Sequence, residues 1–158
     1  MEHKKSIFTN NQKLFLAEFK KQPVLISTFY LTGGTALAEF YLHHRLSEDL
    51  DFFCDRGLDR EMIYDFIDRI IKKTLQPKEI TARKRNGREI FELKCTDNEI
   101  LKVEFVHYPH HNLKPLKKID GLLVNDSFDI AVNKIFSVFS RNEPKDFVDL
   151  YYLLKKYS

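Results

Sequence analysis

Residues 31–37 read LTGGTAL and residues 49–53 read DLDFF, and these two short motifs decide the fold of the chain. The first motif ends a β-branched, aromatic segment at two glycines and continues into a helical pattern. It therefore predicts a strand, a Gly-Gly turn and a helix in direct succession. The second motif alternates acidic and apolar residues, which predicts a strand whose two aspartates share one face.

Outward from these motifs, the hydrophobic pattern predicts a mixture of helices and strands. Helices are expected over residues 10–21, 36–43 and 59–71, from Asp126 or Ser127 to Arg141, and from Pro144 onward; strands are expected over residues 24–31, 49–53, 79–84, 89–95 and 100–107. Asn86 and Gly87 tolerate positive φ and predict a hairpin turn. The polar, lysine-rich residues 110–120 are expected to form a connecting loop.

The predicted fold class is α+β, a mixed β-sheet flanked by helices and followed by a C-terminal helical hairpin. Residues 1–125 are expected to form the core domain, and residues 126–158 a hairpin packed on it. On the last helix, the spacing of apolar residues predicts a buried face. That face comprises Phe147, Leu150, Tyr151 and Leu154.

Composition narrows the class of protein. The chain has 158 residues, 43% hydrophobic and 31% charged, which is the balance of a folded globular domain. Its 26 basic and 23 acidic residues leave a net charge of +3, which permits a polyanionic substrate but does not indicate a nucleic-acid-coating protein. Two cysteines exclude a disulfide scaffold. The absence of a long apolar window and of an apolar leader predicts a cytoplasmic protein without a membrane partner.

Acidic side chains on the predicted strands are the first candidates for chemistry. Asp49 and Asp51 point to the same face, where their charges repel unless a cation such as Mg²⁺ lies between them. The alternative is a solvated pair on an edge strand, which the apolar neighbours of the pair disfavour. Glu104 would be a third carboxylate if its strand pairs beside them, although its alternation with Lys102 is also typical of a half-exposed face.

Other candidates are individually weak. Gly33 and Gly34 leave room for a phosphate at backbone N–H groups, but most such turns bind nothing. Lys134, in an apolar helix, either reaches solvent or meets an anion. Asp146 and Asp149 share one face of the last helix, which alone indicates a solvated surface. Arg45 and Ser47 are expected to brace the loop before Asp49, and the adjacent histidine pairs lack the spacing of a zinc site.

Taken together, the motifs resemble those of the AbiEii/AbiGii-type toxin nucleotidyltransferases, a branch of the DNA polymerase β-like nucleotidyltransferase superfamily. The resemblance covers residues 31–37, 44–53 and 129–134, then Arg141, residues 145–146 and residues 149–150. The resemblance implies a polymerase β-like core whose triphosphate-binding turn is formed by Gly33, Gly34 and Thr35. It also implies that Asp49, Asp51 and Glu104 are metal ligands. In the C-terminal hairpin it implies a catalytic or nucleotide-contacting lysine at Lys134 and a functional acid at Asp146 or Asp149.

The resemblance also implies an activity. The implied reaction is Mg²⁺- or Mn²⁺-dependent transfer of NMP from an NTP to an acceptor hydroxyl of RNA, tRNA or protein. The implied biological role is that of the toxin in a toxin–antitoxin or phage-defence system, with a cognate antitoxin as its partner. Two alternatives remain open: an idle module that binds a protein or RNA partner, and a kinase-like enzyme that transfers the γ-phosphoryl group. The chain is shorter than many relatives, which carry larger C-terminal helical domains.

Overall fold

The computed structural model describes residues 4–158. Residues 1–3 lie outside the described residues, and so does the part of the core prediction and of the leader prediction that concerns them. The centre of the fold is a seven-stranded mixed sheet with the order β3-β4-β5-β2-β1-β7-β6. The strands are β1 Tyr30–Thr32, β2 Leu50–Cys54, β3 Glu79–Arg85, β4 Arg88–Lys94, β5 Ile100–His107, β6 Lys117–Ile119 and β7 Leu122–Val124. The α+β fold class is therefore confirmed.

Helices surround this sheet. They are α1 Asn10–Lys20, α2 Pro23–Thr28, α3 Gly33–Leu37, α4 Arg60–Asp65, α5 Lys72–Leu75, α6 Ser127–Arg141 and α7 Pro144–Tyr157. The π-helical segment Ala38–Leu42 continues α3, and Phe66–Ile71 joins α4 to α5. The Asp126 side chain accepts a hydrogen bond from Phe128 N at 2.8 Å and so caps α6, as the sequence predicts. None of the helices within residues 4–158 is long and apolar enough to cross a membrane.

The two faces of the sheet have different roles because side chains alternate along each strand. One face packs against α1 and the α4–α5 segment through aromatic rings, with Phe19 and Phe52 centroids 4.4 Å apart and Phe52 and Phe105 centroids 5.3 Å apart. On the opposite face of β2 and β5 lie Asp51 and Glu104, which the cavity beneath α6 reaches. The core thus fixes the strands while leaving their acidic face free.

The predicted strand over residues 24–31 is wrong in its first part. Residues Pro23–Thr28 form α2, and only Tyr30–Thr32 enter the sheet. Proline has a φ angle that suits the first turn of a helix, so Pro23 begins α2 as well as ending α1. The β-branched Val24 does not oppose this helix, because its side chain remains 60% exposed and is not crowded.

Two further predictions are wrong: the loop over residues 110–120 and the start of the helix predicted over residues 36–43. Strand β6 occupies Lys117–Ile119 and pairs with β7, and these strands are too short to show alternation in the sequence. Lysines are common on edge strands, where they discourage further pairing. The helix predicted from residue 36 begins at Gly33, immediately after β1, so that no loop separates the glycines from the helix.

The predicted buried face of the last helix is wrong as well. Phe147, Tyr151 and Leu154 are 47%, 54% and 58% exposed, whereas Asp146 and Asp149 are fully buried. The helix is turned so that its acids face α6, because the buried Lys134 and the half-exposed Arg141 of that helix pair with them. The predicted domain boundary after residue 125 stays a prediction.

Candidate active site

The central row of the site runs across three neighbouring strands. Thr32 on β1 lies opposite Asp51 on β2, and Asp51 lies opposite Glu104 on β5. Adjacent strands are about 4.8 Å apart, so the two carboxylates start from neighbouring backbones and project from the same face. The register therefore answers the question that the sequence left open, namely which strand carries the third acid beside Asp51.

The carboxylates disturb one another electrostatically. Burial, followed by the negative charges of Glu104 and Asp49, raises the pKa of Asp51 to about 6. Asp49, just before β2, is partly balanced by Lys145, whose Nζ lies 3.6 Å from Asp49 Oδ2. Asp49 and Asp51 supply carboxylate oxygens, the donors that a hard divalent cation prefers, and the negative charges around Asp51 leave room for such a cation.

Glu104 is turned towards cations of its own sheet. Lys102 Nζ lies 3.0 Å from Glu104 Oε1, and Arg88 Nη1 lies 3.0 Å from Glu104 Oε2. Burial alone would raise the pKa of Glu104, but Lys102 and Arg88 hold it below the ordinary value. Within residues 4–158, no three acidic, histidine or cysteine side chains converge as metal ligands in this arrangement. Asp49 and Asp51 fit a cation by their chemistry, and Glu104 would join them only on leaving its ion pairs.

The Gly-Gly turn is packed against the same acids. Gly33 has a φ of 76°, and a Cβ at this position would overlap Asp51 Oδ2. A Cβ at Gly34 would overlap Arg45 Nη2 and lie 3.3 Å from Asp149 Oδ2. A side chain at either glycine would therefore have to displace a site residue, and at Gly33 the positive φ disfavours other residues as well.

Thr35 holds the loop that carries Asp49. Its hydroxyl donates to the Asp49 carbonyl and lies 2.7 Å from Ser47 Oγ. Gln12 Nε2 donates to the Ser47 carbonyl at 3.1 Å, which ties the same loop to α1. The role predicted for Ser47 in bracing this loop is thus present in the contacts, and the Thr35 hydroxyl is occupied by the protein itself.

A buried ion-pair network joins the C-terminal hairpin to the turn. Lys134 Nζ lies 2.8 Å from Asp146 Oδ1 and 2.7 Å from Asp149 Oδ2, and the Lys134 side chain is only 6% exposed. Of the two alternatives for Lys134, the structure therefore excludes the solvent-exposed lysine. Its ammonium group meets two carboxylates of α7, so its anions come from the protein.

Asp149 is the centre of this network. Arg45 binds it in a bidentate manner, with Nε 2.6 Å from Oδ1 and Nη2 2.8 Å from Oδ2, and His44 Nε2 lies 2.6 Å from Oδ1. Burial alone would raise the pKa of Asp149, yet Arg45, His44 and Lys134 hold it far below the ordinary value. The sequence motif at residues 44–53 contained His44 and Arg45, but their partner could not be read from it.

Six basic side chains line the same cavity as the carboxylates. They are Arg45, Arg88, Lys102, Lys134, Arg141 and Lys145. Arg141 also holds Asp146, with Nε 2.7 Å from Oδ2. Carboxylates can bind a metal ion, and the basic side chains around them can bind phosphate groups. The cavity therefore offers binding partners for both parts of a metal–polyphosphate ligand.

The sheet, the turn and the paired acids define a polymerase β-like nucleotidyltransferase fold. The sequence model of the family described as "Nucleotidyl transferase AbiEii toxin, Type IV TA system" matches residues 14–158. The chain therefore belongs to this family, and the resemblance stated from its motifs is confirmed.

Individual relatives agree with this assignment. An uncharacterised protein of Aquifex aeolicus is 31% identical over 139 residues, which cover 84% of this chain and 61% of the relative. A solved structure from H. pylori, assigned to the nucleotidyltransferases, has 27% identity and a TM-score of 0.69, covering 94% of this chain and 68% of its own. The chain thus spans about three fifths of the length of the curated relative.

A more distant structure shows the fold alone. The nucleotidyltransferase toxin MenT4 of Mycobacterium tuberculosis has 16% identity and a TM-score of 0.59, with 88% of this chain and 56% of that chain covered. The roles of Asp49, Asp51, Glu104, Lys134, Asp146, Asp149 and the turn residues remain predictions at this point, although the structure brings all of them to one region.

Proposed function

We propose that this chain transfers the NMP group of an NTP to an acceptor hydroxyl, with release of pyrophosphate. The observation that carries the proposal is the juxtaposition of Asp51 and Glu104 in register with the Gly33 turn packed against Asp51. Because six basic side chains line the same cavity, a triphosphate has charged partners beside the carboxylates. Family membership supports the same class of reaction.

Asp49 and Asp51 would hold Mg²⁺ or Mn²⁺, and Glu104 would complete the set on leaving Lys102 and Arg88. When bound, the metal supplies charge stabilisation to the attacking and leaving oxygens of an in-line displacement. The residues of the chain orient the reactants: the turn at Gly33 and Gly34 receives the phosphates, and Lys145, Lys102 and Arg88 balance their charge. Glu104 is placed to accept the proton of the acceptor hydroxyl.

Lys134 has a positioning role in this proposal. Its ion pairs with Asp146 and Asp149 fix the hairpin, and Asp149 in turn holds Arg45 over Gly34. Arg45 is then the cation nearest the turn, and we assign to it the contact with the triphosphate. RNA or tRNA is the acceptor that we propose, and a cognate antitoxin is the proposed protein partner, in line with the family's description as a toxin of a toxin–antitoxin system.

The test is incubation of the purified chain with each α-labelled NTP, Mg²⁺ and total cellular RNA, followed by separation of the labelled species. The proposal expects label on RNA together with pyrophosphate. Asp51→Asn should abolish the product, because an amide keeps the shape but loses the charge that holds the metal. Label transferred only from a γ-labelled NTP would instead identify a kinase and refute nucleotidyl transfer.

A further inference from the structure

The sheet face that carries Asp51 and Glu104 continues beyond the site onto β4 and β3, and there it is basic. Side-chain alternation and the strand registers place five cations on this face, Arg83, Arg85, Arg88, Lys94 and Lys102, together with the acids Glu79, Glu92 and Glu104. The four cations in or next to the row through Asp51 and Glu104, namely Arg83, Arg85, Arg88 and Lys102, are called the basic face below. The opposite face of the same strands carries the core residues Phe91 and Phe105, so the basic face is separate from the core.

The basic face is aligned with the carboxylates. Arg83 lies opposite Ile90, Ile90 opposite Glu104, and Glu104 opposite Asp51. Three strand spacings separate Arg83 from Asp51, which is about 14 Å along the row. Ile90 interrupts this row, but Lys102 and Arg88 lie beside it and bind Glu104, so cations flank the row between the edge strand and the acidic centre.

Ion pairs within the sheet account for three of the four charges of the basic face, since Arg88 and Lys102 bind Glu104 and Arg83 binds Glu92, but they leave Arg85. Arg85 lies directly opposite Arg88 in the hairpin, and like charges at such positions destabilise a sheet. Within the described part of the chain, Arg85 has no ion-pair partner, while Arg83 pairs with Glu92 at 2.7 Å with 47% of its side chain exposed. Arg85 is exposed, has no partner among the described residues and lies beside a second cation, so it is available to an anionic ligand.

Aromatic groups favour a polynucleotide over an acidic peptide. The row that contains Arg85 and Arg88 continues through Val106 to Phe53, which lines the cavity. The ring of Phe53 is half-buried, and its centroid lies 5.1 Å from that of Tyr108. Aromatic rings beside a cationic track bind stacked bases as well as phosphates.

We propose that the basic face binds the phosphate backbone of a single-stranded polynucleotide acceptor and leads its end towards Asp51 and Glu104. This inference rests on the proposed function, since it supplies the path of the RNA acceptor. It assigns binding roles to Arg83 and Arg85, which lie outside the cavity and which the sequence motifs did not include.

The experiment measures binding apart from catalysis. The full chain is titrated into a fluorescein-labelled oligoribonucleotide of about 20 residues, in EDTA and without NTP, at several salt concentrations between about 50 and 200 mM. The test variant is Arg83→Gln/Arg85→Gln. The control is Lys84→Gln, which lies between them on the same strand but on the opposite face, across from Glu89. Thermal unfolding of each variant checks that it is folded.

We expect the double variant to lose affinity about tenfold or more at low salt, and the slope of log K against log salt to fall by about 1.4, which corresponds to two phosphate contacts on a single strand. Lys84→Gln should bind like the wild type. An equal loss of affinity in both variants would mean that positive charges on this edge strand act in the same way on either face, and would overturn the proposal. Unchanged binding by a folded double variant would overturn it as well, as would equally tight binding of polyglutamate by the wild type.

Catalysis is read separately with α-labelled NTP and Mg²⁺. If the wild type transfers label but the double variant binds RNA normally, the RNA-binding role of the basic face is refuted and the proposed function stands. If binding depends on Arg83 and Arg85 but no label is transferred under any condition, the proposed function is refuted and the RNA-binding role of the basic face stands.

Discussion

Lys134 Nζ lies 2.7 Å from Asp149 Oδ2, and this contact between two buried side chains joins α6 to α7. Asp149 also receives Arg45, which lies over Gly34 of the phosphate-binding turn that we propose. One carboxylate therefore connects the C-terminal hairpin to the turn at the start of α3. The position of Arg45, and through it the geometry of the turn, depends on a residue of α7 that is far away in the sequence, since Arg45 and Asp149 are 104 positions apart.

The first prediction concerns the stability that Lys134 supplies. Lys134→Met should lower the free energy of unfolding by about 3 kcal/mol, because it leaves Asp146 and Asp149 buried with fewer cations. Urea unfolding of the apo protein measures the change. Lys73→Met is the matched control, since Lys73 is exposed on α5 and should change stability by less than about 0.5 kcal/mol. A loss from Lys134→Met as small as that of the control would contradict the buried network.

The second prediction uses the acid dependence of Asp149. Its pKa is held far below the ordinary value, so the folded state binds fewer protons than the unfolded state as the pH falls. The stabilisation is therefore complete at neutral pH and is lost progressively below about pH 4. Asp149→Asn should be less stable than the wild type by about 3 kcal/mol at pH 7, and the difference should shrink below pH 4. A difference that stays constant between pH 7 and pH 3 would show that charge is not its cause.

The third prediction compares two glycines. Gly34→Ala should displace Arg45, whose Nη2 occupies the space of the new methyl group, and should therefore weaken both stability and NTP binding. Gly57→Ala is the control, because a Cβ at Gly57 meets no atom within 4 Å. Thermal unfolding with and without Mg²⁺ and NTP separates the two effects. Equal unfolding temperatures and equal ligand shifts in the two variants would refute the contact between Gly34 and Arg45 as a requirement.

The fourth prediction concerns Asp51, whose pKa is raised to about 6. Between about pH 4 and pH 6 the folded state keeps a proton that the unfolded state releases, so stability falls as the pH rises through this range. Asp51→Asn removes this loss, and the apo variant should exceed the wild type by about 2 kcal/mol at pH 7 but by little at pH 4. Chemical unfolding at both values measures the difference. A variant less stable than the wild type at pH 7 would contradict the repulsion among the three carboxylates.

Much of the fold followed from local pattern. The alternation in residues 49–53, the turn residues Asn86 and Gly87, and a cap at Asp126 or Ser127 each act over a few positions. The structure has the strand one residue later, at Leu50–Cys54, the hairpin turn at Asn86 and Gly87, and the cap at Asp126. Short elements escaped this reasoning: α2 and β6 contain six and three residues, too few to show a period. The helix orientation also escaped it, since apolar spacing placed Phe147 and Tyr151 inwards and the structure places Asp146 and Asp149 there.

The sequence by itself determined that Asp51 lies on the strand face opposite to Leu50 and Phe52, because strand geometry has a period of two, and that a strand passes into a helix at two glycines. Its motifs also determined the family. Only the tertiary structure decided that Glu104 stands opposite Asp51, because strand order and register depend on packing between distant segments. It also decided that Lys134 is buried against Asp146 and Asp149, since burying a charge is favourable only where opposite charges from other elements meet it.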